Sequence, residues 1–229
     1  MKNNVRMLTP LAVTIAVLSI LTIGSSEARA AAITIAGYTN GTFNGNPAAM
    51  QGPGVQTASI AGLSYTNSIF SGTTVDGVFG LDSNPTPQGT QGFNNLGTFS
   101  LANTTATYDS MFTLRVTFTL PTGINNPPGG SALLTGSVLS TVNGGVQVDF
   151  NNAPILFAFS NATSSDSFFL SVNDLQLGQG QTNALTGQIT TVQPNAVPEP
   201  ATIILLSTGL AGVVVKVRRR RAGTRLTLV

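Results

Sequence analysis

Short runs of alternating apolar and polar residues, clusters of Gly, Asn and Pro between them, and the lack of any sustained helical period predict an all-β fold for this 229-residue chain. The regular spacing of the runs predicts an antiparallel β-sandwich, of jelly-roll or immunoglobulin-like type, over residues 31–196. A body of that length can bury a core without a staple, since chains of roughly 150 residues hide about two thirds of their unfolded surface. Cysteine is absent, so no disulfide is on offer.

Taken in order, the first strand is expected at 33–36, and the Gly-, Asn- and Pro-rich stretch Thr39 to Gln56 reads as an irregular loop. Strands at 57–65 and 75–81 follow, then a second loop from Asp82 to Gly92 and a strand at 96–101. The clearest strand is 112–120. There Phe112, Leu114, Val116, Phe118 and Leu120 share one face, and Thr113, Arg115, Thr117 and Thr119 the other. Pro121 and the Gly123 to Gly130 region end it as a loop. A hairpin comes next, with arms at 133–142 and 146–150 around Asn143-Gly144-Gly145, residues that accept positive φ. Strands at 154–160, 167–172 and 185–192 complete the body.

The formal charge of +2 belongs to the two ends. Arg115 is the only basic residue of 31–196, set against Asp76, Asp82, Asp109, Asp149, Asp166 and Asp174, so the body carries about five net negative charges. Nothing there can cluster on phosphates, which excludes nucleic acid as a partner. The body also lacks His, Cys and Lys, and with them the base that Ser-His-Asp, Cys-His or Ser-Lys chemistry requires. No two aspartates are spaced as an acid/base pair, so no enzyme, no catalytic residue and no cofactor is expected.

Only hard oxygen ligands remain for a metal. Asp76-Gly77 with Asp82, and Asn173-Asp174 with Gly178 and Gly180, are the two loops that calcium could use, but neither has the spacing of a calcium loop and both read as turn chemistry. No metal ligand is therefore assigned. Tyr38, Tyr65 and Tyr108 could stack on sugar rings; as core-edge residues they are expected to keep their hydroxyls at the surface. Asn40, Asn103 and Asn161 open N-x-Thr triplets, a pattern that recurs by chance in such text.

The ends carry address information. Lys2 and Arg6 precede an apolar run from about Leu11 to Ile23, and Ala28-Arg29-Ala30 places small residues where signal peptidase reads, so residues 1–30 are expected to be a signal peptide cleaved after Ala30. At the other end stand Val197, Pro198, Glu199 and Pro200, then an apolar segment at 201–217, then Arg218, Arg219, Arg220 and Arg221, and a short cytoplasmic tail at 222–229. Seventeen apolar-segment residues make roughly 25 Å of helix, slightly short of a roughly 30 Å hydrocarbon layer. Lys216 can snorkel, so one transmembrane helix is expected. The arginine block argues for a cytoplasmic C-terminus and against a core helix. Two prolines around Glu199 keep the motif extended and open to a processing enzyme.

Motif, apolar segment and arginine block in this order resemble the PEP-CTERM sorting signal of Gram-negative bacteria. The resemblance covers about the last 30 residues. It implies an exosortase partner that recognises Pro198, Glu199 and Pro200, export, inner-membrane tethering and passage to the cell surface or extracellular space. Such proteins commonly come from bacteria that make extracellular polysaccharide, which the resemblance suggests as a partner of the body. The expected function is a noncatalytic envelope or matrix protein with a structural or adhesive body; the alternative is a calcium- or glycan-binding module.

Overall fold

The computed structural model describes residues 32–45, 52–162, 164–192 and 209. The leader with Ala28 and Ala30, the motif 197–200, the apolar segment apart from position 209, the arginine block and the tail lie outside the described residues.

Among the described residues sixteen strands run in chain order: β1 (Thr34–Phe43), β2 (Thr57–Ile60), β3 (Leu63–Thr66), β4 (Ser68–Thr73), β5 (Val78–Leu81), β6 (Gly92–Phe93), β7 (Thr98–Leu101), β8 (Asp109–Leu120), β9 (Ile124–Asn126), β10 (Ser131–Ser140), β11 (Val146–Phe150), β12 (Ile155–Ser160), β13 (Ser165–Val172), β14 (Leu175–Leu177), β15 (Thr182–Ala184) and β16 (Gly187–Thr191). One 3-10 turn, Pro128–Gly130, lies between β9 and β10. The fold is all-β, as the alternation predicts.

The strands form three sheets. A seven-stranded sheet has the order β14-β11-β10-β8-β1-β4-β6, a five-stranded sheet β5-β16-β13-β12-β9, and a four-stranded sheet β15-β7-β3-β2. Every named pairing is antiparallel except β4 with β6. Pairing follows from the alternation. In β8 the register Arg115↔Leu133 and Leu114↔Leu134 with β10, and Arg115↔Asn40 with β1, sets Phe112, Leu114, Val116 and Phe118 on one buried face. A slip of one residue would turn that entire face to water.

Inward residues of all three sheets join one core, with Ile35, Phe112 and Val148 from the first, Phe157, Phe168 and Ile189 from the second, and Leu63, Tyr65 and Phe99 from the third. Each fully buried side chain of this size contributes about 1.5–3 kcal/mol. The aromatic rings fall into two groups. Phe118 packs on Phe157 and Phe168 with ring centres 4.5 and 4.9 Å apart, and Phe70 lies 5.3 Å from Phe118. Phe112 packs on Tyr65, Phe99 and Phe43 at 4.8, 4.9 and 5.0 Å.

Several expectations need correction. β1 does not stop at residue 36 but runs through Asn40-Gly41-Thr42 to Phe43, inside the stretch read as a loop. Gly41 is there for closeness: a Cβ at this position would collide with the Phe112 and Tyr65 rings. The strand expected at 57–65 is a hairpin, turned at Ala61 and Gly62 with φ of 46° and 88°. β4, β6, β9, β14 and β15 lie outside every strand expected above, and β9 sits within the region read as loop after Pro121.

Candidate functional site

Of the sequence-derived site residues, the sorting motif Val197–Pro200, the cluster Arg218–Arg221 and the cleavage positions Ala28 and Ala30 are outside the described residues. Among the described residues no helix is long and apolar enough to cross a membrane. The structure speaks instead to the candidate residues of the body.

The calcium-type loops are turns. Asp76 and Gly77 hold φ of 50° and 82° between Val75 and Val78, whose backbones exchange hydrogen bonds at 2.8 and 3.0 Å. Two central residues at positive φ are what a two-residue hairpin of the I′ kind needs, and Asp-Gly supplies them. Asp174 accepts from the Phe150 N–H at 2.9 Å through Oδ1 and from Asn152 Nδ2 at 3.2 Å through Oδ2, fastening the end of β11 to the start of β14. Both aspartates thus have hydrogen-bonding or conformational work within the fold.

The tyrosines separate sharply. Tyr38 is half-buried on the outer face of the seven-stranded sheet, opposite Thr117. Tyr65, expected to present its hydroxyl to solvent, is 1% exposed. Its Oη lies 2.8 Å from the Leu96 carbonyl oxygen and 2.9 Å from Thr39 Oγ1. The one phenol proton faces both acceptors, and the Thr39 hydroxyl in turn donates to the Ser68 carbonyl at 3.4 Å. Thr39 Oγ1 also accepts from the Ser68 N–H at 3.0 Å. Burial pushes the Tyr65 hydroxyl far above the usual phenol range, with the Thr39 contact pulling weakly the other way. Tyr108 donates to the Ala61 carbonyl at 2.7 Å, and burial raises its pKa too.

The reason alternation misses Tyr65 is that β3 is buried on both faces. Its second face is covered by residues 82–91, held down where Gln88 Nε2 donates to Ser64 Oγ at 2.9 Å and the Gly89 N–H to Thr66 Oγ1 at 3.2 Å. Asn95 anchors the base of the same loop through the carbonyls of Ser83 and Asn84. Asn40, which opens one N-x-Thr triplet, is fully buried, with Nδ2 donating to the Gly52 carbonyl at 3.2 Å and to Gln56 Oε1 at 3.0 Å. That amide cannot carry a glycan in the folded body.

A cavity of about 360 Å³ opens where the starts of β1 and β13 meet the turn after β8. Ile33, Pro121 and Phe159 contribute apolar lining, and Thr34, Ser164 and Asp166 polar lining. Asp166 is its one ionisable lining residue, with Oδ1 accepting from the Ser167 N–H at 2.7 Å. A single carboxylate beside hydroxyls can hydrogen-bond a neutral hydroxylated molecule; it does not form an acid/base pair. Nothing in the sequence singles out Asp166, because its setting is made by three segments distant in the chain.

An antiparallel all-β body that leads into a Pro-Glu-Pro motif, an apolar segment and an arginine block defines a class, the exported protein with a C-terminal sorting signal. The family model for the PEP-CTERM protein-sorting motif matches residues 196–221, so the chain carries that motif. The motif implies export, a membrane-anchored sorting signal and processing by an exosortase. No curated protein and no solved structure matches the chain.

Proposed function

We propose that this is an exported, noncatalytic component of the cell envelope or extracellular matrix whose β-sandwich body has a structural or adhesive role. On this reading residues 1–30 are removed after Ala30 and the segment 201–217 crosses the inner membrane. Exosortase then acts at Pro198-Glu199-Pro200 and the body passes to the surface. The observation that carries the reading is the sorting-motif match over residues 196–221. A body without His, Cys or Lys supports the absence of catalysis. The test is fractionation of the wild type against a chain with Pro198, Glu199 and Pro200 replaced, in a host that has the sorting machinery. Retention of the replaced chain in the membrane fraction is expected; unchanged processing and location would overturn the reading.

The cavity beside Asp166 favours a second reading, a glycan-binding body, because its mixed apolar and polar lining suits a sugar. Calorimetry with oligosaccharides on the wild type and on Asp166→Asn decides between them. Binding lost in the variant would promote the second reading over the first.

A further inference from the structure

The outer face of the five-stranded sheet differs from the rest of the surface. The registers Leu156↔Phe169, Phe169↔Thr190 and Thr190↔Val78 put these four residues in one row across β12, β13, β16 and β5, and the bridge Val75↔Val78 extends it. Leu156, Phe169, Val78 and Val75 are 39%, 36%, 37% and 72% exposed. Val192, 38% exposed, follows β16 and donates its N–H to the Ser167 carbonyl at 3.1 Å, which places it beside that row. Beside that row Ser167, Ser171, Gln188 and Gly80 also face outward and carry no charge, while exposed Asp76, in the turn between Val75 and Val78, and Asp82, whose carboxylate lies against Gly80, mark its edge at β5. By contrast, the exposed Leu133 and Leu139 of the seven-stranded sheet stand directly opposite Arg115 and Asp109. An apolar row with charge only at one edge marks a contact surface.

What covers it follows from where the chain leaves. Val192 is the last described residue of the body, and eight residues, 193–200, separate it from the apolar segment 201–217. Fully extended, that link reaches at most about 30 Å. While the tail holds the chain, the exit point at Val192 therefore stays within about one bilayer thickness of lipid. We propose that this face is a membrane-contact surface, with Leu156, Phe169, Val78, Val75 and Val192 resting on the lipid headgroup layer until the body is released. The inference rests on the tethering reading above. The net negative charge of the body makes a zwitterionic surface the fitting one and an anionic surface a poorer one.

The chain has no cysteine, so one introduced thiol labels one place. The full chain with Leu156→Cys, or with Thr135→Cys on the outer face of the seven-stranded sheet, is labelled with an environment-sensitive fluorophore and reconstituted into phosphatidylcholine vesicles. Flotation with the vesicles is measured first, then quenching by a lipid-borne quencher. Severalfold stronger quenching at 156 than at 135 is expected, falling to the level at 135 when Phe169→Asp or Val78→Asp is added and weakening when anionic lipid is mixed in. Equal quenching at both positions in a chain that floats overturns the membrane contact and leaves the tethering intact. A chain that does not float overturns both. Shielding at 156 that persists in detergent and grows with protein concentration assigns the face to a second copy instead, and also overturns the proposal.

Discussion

At one end of the core, Phe70, Phe118, Phe157 and Phe168 pack ring on ring, with Phe157 and Phe168 nearly parallel at 3°. At the other, Tyr65 lies among Phe99 and Phe112 with a hydroxyl that must reach both Leu96 and Thr39, in a slot whose walls are Gly41 and Gly97. The two ends bury similar rings by different means. The first draws its stability from area alone and is sensitive to lost volume. The second adds a directional requirement, since the same ring turned or displaced would leave a buried carbonyl without its donor. One end therefore responds to size, the other to size, geometry and pH.

Removing volume gives the largest effect and treats both ends alike. Phe168→Ala and Phe112→Ala should each cost about 3–5 kcal/mol, read from the midpoint of urea unfolding; a marked difference between them would show that one end collapses around the lost ring. Added volume separates the ends from the loops. Gly41→Ala should cost about 1–3 kcal/mol through overpacking. Gly97→Ala should cost more, because φ of 118° strains any side chain there while its Cβ meets the Tyr65 ring. Gly54→Ala, with open space at its Cβ, is the neutral control.

Tyr65→Phe keeps the ring and deletes the directional requirement, at an expected cost of about 1–3 kcal/mol from the unsatisfied Leu96 carbonyl. The same variant isolates the pH response. The folded pKa of Tyr65 is raised above its unfolded value, so the folded state holds the proton more tightly, and its contribution is complete below the unfolded value. Above about pH 10 stability should fall by up to about 1.4 kcal/mol per pH unit, and Tyr108 shifts in the same direction. Alkaline denaturation curves should flatten in Tyr65→Phe and keep the wild-type slope in Phe168→Ala. The smallest effect is expected at the surface. Asp76→Asn preserves a turn that Asn-Gly forms equally well and should stay within about 0.5 kcal/mol, measured by thermal unfolding.

The same contrast governs what could be read beforehand. Strands that meet water on one face announce themselves, as 112–120 and 146–150 do, because alternation is written into one-sided burial. β3 does not, since Ser64 and Thr66 are buried beneath the loop pinned by Gln88 and Gly89. Gly41 and Asn40 look like turn residues by type, yet one makes room for rings and the other is buried under Gly52 and Gln56. Short strands such as β6 and β14 are set by their neighbours and have too few residues to show a period. The Asp166 cavity was invisible for a related reason, as Ile33, Pro121 and Asp166 meet only in the fold. The sorting motif was legible because its parts are contiguous in the chain.

The six outer strands of the three sheets are β14, β6, β5, β9, β15 and β2, each of two to four residues, whereas the interior strands β1, β8 and β10 have ten, twelve and ten. Unpaired backbone so short gives an incoming strand little to zip onto, so these bodies resist fibre growth by strand addition even at high local density. At high concentration they would stay individually folded, and any association among them would come through side-chain surfaces, which solvent and salt can reverse.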